Sequence, residues 1–366
     1  MTTDFVAATE RYEAWLRAQV EIQEDELAYK HAQMANGDDP FPFFRGTYYR
    51  WVQRWPEVCP ALQAAPRVLG VGDLHIENFG TWRDSEGRLV WGVNDFDEAD
   101  ELPFTNDLVR LAASVGFASR TKQFQFDRAC RAILAGYVEQ FSSGGRPFVL
   151  EEEHPELRRL AMQAERDPVH FWNKLTAVLH DPAETIPLEA EAALRQALGD
   201  VQAPCEIRFR PRVGMGSLGK PRYVALSKIA GGWKAREAKA LVPPATTWLE
   251  GDASQNRSRI TELLSQAVRC ADPCFQIHGA WIVRRLAPRC SRIELIQLTE
   301  SHDERLLLTA MGAEAANIHA GSAPAREAIR QHLASLPKDW LESAARAMVE
   351  TLRADWKAWC QEFQSR

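Results

Sequence analysis

Apolar residues recur at helical intervals through the first 35 positions (Phe5, Tyr12, Trp15, Leu16, Val20, Leu27), and this spacing predicts a helical preface. The string GDDPFPFF at 37–44 ends it with glycine and proline. FFRGTYYRWVQRW returns to helical spacing, and Pro60 and Pro66 then bracket a loop leading into Val68-Leu69-Gly70-Val71, an apolar run of strand type. Between Phe79 and Phe96 two alternating runs flank Ser-Glu-Gly, the pattern of a hairpin. Asn106 and Asp107 stand where they would cap the helix LVRLAASVGFAS, and RACRAILAGYVEQF keeps helical spacing up to Gly144 and Gly145, so 107 to about 200 is expected to be mainly helical.

The texture changes at Cys205. IRFRPRVGMGSLGKPRYVALSKIAGGWKAREAKAL alternates apolar and basic residues with glycines between them, which predicts a small twisted antiparallel sheet and a lobe boundary near 203. SRITELLSQAVRCA then reads as a helix, AWIVRRL and RIELIQL as two strands, and 303–321 and 324–362 as closing helices. The resulting division is a helical segment at 1–66, a helical lobe at 67–203, a β-rich lobe at 204–300 and C-terminal helices at 301–366 that return to the helical lobe.

A chain of 366 residues, 45% hydrophobic and 26% charged, fits an ordinary folded protein of about two domains. Its net charge of -6 gives no whole-molecule attraction for nucleic acid or anionic lipid, so neither a nucleic-acid partner nor a membrane is expected. No run approaches the roughly 18 apolar residues of a membrane span, and the acidic, helical start differs from a signal peptide, so the expected location is cytoplasmic. Seven scattered cysteines make no disulfide framework. Cys270, Cys274 and His278 have the i, i+4, i+8 spacing of metal ligands, but Pro273 interrupts the helix that would align them, which favours buried packing.

Chemistry concentrates in three strings. In GDLHIENFG, Asp73 and Asn78 have the spacing of a phosphotransferase catalytic loop, where the carboxylate orients an acceptor hydroxyl and the amide oxygen helps hold magnesium. Past the hairpin, NDFDEA supplies Asp95 as a second metal ligand, with Asp97 as its competitor. The plainer alternative is that these side chains satisfy turn amides. Gly214, Gly216 and Gly219, with Ser217 between them, form a GxGxxG that is followed by a strand pattern rather than a helix, which fits a loop folding its amides over nucleotide phosphates. The cation such a site needs is Arg236 or Lys239, which alternation puts on opposite strand faces, with Glu262 as a candidate partner. Arg45, Arg284 and Arg285 are further candidates for phosphate or carboxylate contacts, and Trp51, Trp55, Trp82, Trp91 and Trp172 for pocket walls.

GDLHIEN, NDFDEA and Asp107-Leu108-x-Arg110-Leu111 resemble the catalytic half of aminoglycoside phosphotransferases and choline kinases. With FFRG at 43–46 and VGMGSLG at 213–219, nearly the whole chain is similar to the bacterial proteins called domain of unknown function 2252. The resemblance implies an α+β, protein-kinase-like fold of two lobes. It implies Asp73 as catalytic base, Asn78 and Asp95 as magnesium ligands, Asp107 as the brace of the loop, and ATP with Mg2+ as cofactors. Val71 departs from the histidine usual before Gly-Asp, and Asp97 from the glycine of a DFG motif. Because the catalytic loop precedes the glycine loop, the fold is expected to be circularly permuted, with the helix around Ala313–His319 beneath residues 72–80. The expected activity is phosphoryl transfer from ATP to a small-molecule hydroxyl. The alternatives are an inactive nucleotide-binding regulator and a metal-dependent phosphoesterase.

Overall fold

Periodic apolar positions in the first third of the chain form five helices: α1 (Phe5–Gln19), α2 (Glu24–Met34), α3 (Phe41–Gly46), α4 (Tyr48–Val58) and α5 (Pro60–Gln63). Short strands β1 (Arg67–Gly70), β2 (Phe79–Arg83), β3 (Leu89–Val93) and β4 (Asp100–Pro103) lead into α6 (Phe104–Phe117) and α7 (Phe126–Ser142), followed by β5 (Phe148–Val149), α8 (Pro155–Gln163), α9 (Pro168–Ala177) and α10 (Leu188–Leu198). The basic, glycine-punctuated region yields β6 (Glu206–Phe209), β7 (Arg222–Ile229), β8 (Gly232–Ala240), α11 (Ala245–Glu250), α12 (Ile260–Gln266), β9 (Gln276–His278) and β10 (Trp281–Leu286). The last helices are α13 (Ser301–His319), α14 (Arg326–Ser335) and α15 (Trp340–Ser365). This computed structural model describes residues 4–118, 125–151, 153–182, 185–199, 204–251 and 258–365. The architecture is mixed α+β, and among the described residues no helix is long and apolar enough to cross a membrane.

The helical lobe is built on α7 and α13, which cross closely enough that each places a glycine against the other's backbone. A Cβ at Gly136 would lie 2.0 Å from the Thr309 carbonyl oxygen, and one at Gly312 the same distance from that of Ile133. Around them α6 and α15 complete a core containing Leu108, Ile133, Leu307, Met311 and Leu352. Two small sheets, β1–β4 and β2–β3–β5, are set into this lobe, all antiparallel. A buried bidentate pair, Arg50 with Asp355, ties α4 to α15 at 2.8 and 3.0 Å.

The second lobe is a five-stranded antiparallel sheet in the order β6-β7-β8-β10-β9. Its two faces differ sharply. Tyr223, Ala225, Ala238, Ala240, Trp281 and Val283 pack against α10 on one side. The register sets Arg222 opposite Lys239, and both Val224 and Arg284 opposite Glu237, so the other face carries the charged groups toward the helical lobe.

Several expectations need correction. Asn106 and Asp107 lie inside α6, which begins at Phe104, so they do not cap it. RIELIQL is not a strand. β10 already has β8 and β9 on its two edges, and the run instead buries Ile293 and Leu295 around a single 3-10 turn at Leu295–Gln297. The stretch 324–362 breaks into α14 and α15, and the helix expected over 258–271 is confined to Ile260–Gln266. Ser119 and the proposed boundary at 203 lie outside the described residues.

Candidate functional site

At the end of β1 the backbone turns through Gly72, whose φ of 79° suits glycine, and a Cβ there would stand 2.2 Å from the Glu98 carbonyl oxygen. The turn is fixed by Asp107 of α6, which accepts from the amides of Val71 at 2.7 Å and Gly72 at 2.9 Å. His319, ending α13, donates Nε2 to the same carboxylate at 3.1 Å and accepts from the Tyr137 hydroxyl at Nδ1. α13 thus supports the loop through Asp107.

Arg110 lies three residues beyond Asp107 and therefore on the same helix face. Its Nε and Nη2 reach Asp73 Oδ1 at 3.0 and 2.7 Å, and its guanidinium stacks 3.6 Å from the centroid of Phe44. Burial pushes the Asp73 carboxyl up, while Arg110 opposes that rise. The other oxygen, Oδ2, points toward Gly216 of the glycine loop, where a Cβ would approach within 3.8 Å.

Asn78 donates Nδ2 to the Asp73 carbonyl at 2.5 Å, and its own carbonyl accepts from the Asn94 amide at 2.9 Å, which joins the two loops. Asp73, Asn78, Asp95 and Asp97 line one small cavity of about 40 Å³, together with Glu98, Gly214, Gly216, Ser217 and Lys220. Lys239 enters from the sheet, its Nζ 3.2 Å from Asp95 Oδ1 and 2.6 Å from Asp97 Oδ1. The latter contact is a close ion pair, and this buried oxygen has no further hydrogen-bond partner among the described residues. Lys220 Nζ stands 4.0 Å from Asp97 Oδ2. Burial would raise both carboxyls, yet Lys239 and Arg284 hold Asp95 well below the usual range, whereas burial and the charge of Asp95 push Asp97 up. Burial also lifts Glu98 to about 7, although it accepts from the Ala245 amide at 2.7 Å.

The glycine loop spans β6 and β7 with a 3-10 turn at Met215–Ser217. Gly214 and Gly219 take positive φ, and a Cβ at Gly216 would come within 3.1 Å of the Arg45 carbonyl oxygen. Ser217 Oγ accepts from Arg222 at 2.5 Å. The helical preface secures the loop from outside, because the Gln23 amide donates to the Gly219 carbonyl at 2.8 Å and Glu26 accepts from the Arg212 amide at 2.7 Å.

The two candidates for the basic residue separate as alternation requires. Lys239 faces Asp95 and Asp97, whereas Arg236 lies on the opposite sheet face and donates to the Ala197 carbonyl at 2.9 Å. Glu262 does not partner the lysine, since it is half exposed and pairs with Arg259 at 2.8 Å. Arg110, Lys220 and Glu98 were not assigned roles from the sequence. The i, i+3 spacing from Asp107 is a signal that could have found Arg110.

His75 is buried and held well below its ordinary range by that burial, and its Nδ1 accepts from the Glu77 amide at 3.1 Å. Arg45 and Arg292 converge on Glu77 at 2.6 and 2.8 Å. Trp82 and Trp55 line separate cavities, Trp51, Trp55 and Trp91 belong to the main core, and Trp172 packs against Phe171. Among the described residues no three His, Cys, Asp or Glu side chains form a metal cage, and Cys274 instead accepts from Arg285 at 2.8 Å.

Residues 22–166 match the model of a family described as an uncharacterized protein conserved in bacteria, DUF2252. The matched region contains the Asp73–Asn78 loop, Asp95, Asp97 and Asp107. The glycine loop lies beyond it. No curated protein and no solved structure matches the chain.

Proposed function

We propose that this chain is an ATP- and magnesium-dependent phosphotransferase with a circularly permuted, kinase-like arrangement, acting on a hydroxyl of a small molecule. The observation that carries the reading is the convergence of Asp73, Asn78, Asp95, Asp97 and the glycine loop on one cavity from opposite lobes. Further support comes from Lys239, which lies on the third strand counted from β6, as the phosphate-reaching lysine does in protein kinases. The order of elements from β6 through α13, read on into the 72–80 loop, supports this reading, because a kinase with its two halves exchanged in sequence would run so.

Magnesium needs few protein oxygens because it keeps waters and phosphate ligands. Asn78, Asp95 and Asp97 fit that demand by the chemistry of their oxygens, and Lys239, 2.6 Å from Asp97 Oδ1, occupies the place a cation would take there. When bound there, the ion would offset charge on the terminal phosphates. Asp73 supplies the base: Arg110 fixes Oδ1, leaving Oδ2 to take the hydroxyl proton as the acceptor oxygen bonds to the γ-phosphorus and the bond to the β-phosphate oxygen breaks, releasing ADP. Lys239, Lys220 and the amides of residues 214–219 would bind phosphate oxygens.

ATP turnover should be assayed against a panel of hydroxylated small molecules for wild type and Asp73→Asn. The variant should lose about 10²- to 10⁴-fold in rate with nucleotide affinity retained. Equal turnover by the two proteins would overturn the role given to Asp73. Lys239 neutralising Asp95 and Asp97 favours a second reading, a nucleotide-binding regulator, for which binding without transfer is the expected result.

A further inference from the structure

Next to the carboxylate pocket, and sharing Arg45, Asn78, Asp95 and Gly214 with it, is a larger cavity of about 460 Å³. Its lining includes Arg45, Arg166, Arg210, Arg269, Arg284 and Arg292 against the carboxylates Glu77, Asp95 and Asp272. In a chain of net charge -6, this is a local concentration of positive charge.

The sheet register produces it. Glu237, fully buried, accepts from Arg210 Nη1, from Arg222 Nη1 at 2.7 Å and from Arg284 Nε at 2.8 Å. One carboxylate facing three guanidiniums does not by itself neutralise them, and among the described residues the buried Arg210 Nε has no acceptor. On the opposite wall Arg269 lies 4.9 Å from the ring centroids of both Trp82 and Phe96 and donates Nη2 to the Val93 carbonyl at 2.6 Å. Its Nη1 is likewise buried and has no partner among the described residues. Buried donors without acceptors are costly, and planar guanidinium forks match phosphate oxygens. Phe275 and Leu264 provide an apolar wall for the organic part of a ligand.

We infer that this cavity holds its ligand by phosphate groups, received by Arg210 and Arg284 from the sheet and by Arg269 from the segment after α12, where it packs on Trp82 and Phe96. The inference rests on the phosphotransferase reading and deepens it. The phosphates belong either to the nucleotide or to an acceptor that is itself phosphorylated.

The test is calorimetric titration of the full chain with inorganic tripolyphosphate in EDTA, at low and at moderate salt. Wild type should bind, and more weakly as salt rises. Arg210→Gln and Arg284→Gln should each weaken binding about tenfold or more. Because losing a guanidinium beside Glu237 can disturb folding, Glu237→Gln serves as the second variant. It removes the opposing charge, so it should tighten tripolyphosphate binding several-fold, which a damaged protein would not do. Competition between tripolyphosphate and magnesium-ATP assigns the phosphates to the nucleotide, and simultaneous binding assigns them to the acceptor. Asp95→Asn also removes an opposing charge from the lining, so it should tighten tripolyphosphate binding in EDTA while magnesium-dependent turnover is lost, which separates this inference from the metal-dependent reading. Absence of binding by wild type, or affinity unchanged in the Gln variants of both arginines, overturns it.

Discussion

Glu98 sits beside Asp73 and Asp97 with Lys220 as the nearby cation, and burial lifts its carboxyl from an ordinary 4.5 to about 7. A carboxyl raised on folding stabilises the native state fully below its unfolded value and loses that contribution as pH climbs through the folded one. Wild-type stability should therefore decline between about pH 4.5 and 7 partly because of Glu98. Glu98→Gln keeps an acceptor for the Ala245 amide but stays neutral. Its thermal midpoint should fall less across that interval and exceed wild type at pH 8, and parallel curves for the two proteins would contradict the assignment. The same burial shapes Asp73, where Arg110 acts in opposition. Removing one member of such a buried pair typically costs about 3–5 kcal/mol.

Among the elements, the α7–α13 crossing carries the most consequence for the site, because it aligns Tyr137, His319 and Asp107 beneath the 71–73 turn. Gly312→Ala would drive a Cβ into the Ile133 carbonyl at 2.0 Å. The gain in helix propensity is about 1 kcal/mol, whereas overpacking costs about 1–3 kcal/mol and more when backbone must move. A net loss of thermal stability is expected by calorimetry, and a midpoint equal to or above wild type would show that the helices can separate freely. Lys239 and Arg236 illustrate what strand periodicity conveys. Alternation places them on opposite faces, but which face meets the other lobe depends on α10 covering Tyr223, Ala238 and Val283. Likewise RIELIQL has the alternation of a strand yet does not pair with β10, the strand before it in the chain, because β10 is flanked on both sides.

Across the whole molecule, the sequence made visible those parts of the site that depend on local backbone chemistry. Gly72, Gly214 and Gly219 adopt positive φ, and Asp73 and Asn78 lie on one tight loop, so composition and spacing carried their signal. Contacts between distant segments were not legible. Arg110 reaching Asp73, three arginines sharing Glu237, and Gln23 bracing Gly219 all arise from packing between elements that no short pattern encodes. The pairing expected for Glu262 failed for the same reason, since its helix turns that side chain outward to Arg259.

The proposed magnesium-nucleotide site shared by the two lobes is tested most directly by the thermal midpoint of wild type and Asp95→Asn with a non-hydrolysable ATP analogue and magnesium. A ligand specific to the folded state at 100 times its Kd adds about 2.7 kcal/mol. Wild type should be stabilised to that order, with most of the gain lost in Asp95→Asn or on adding EDTA. No shift at millimolar analogue, or equal shifts in both proteins with and without metal, would contradict the account.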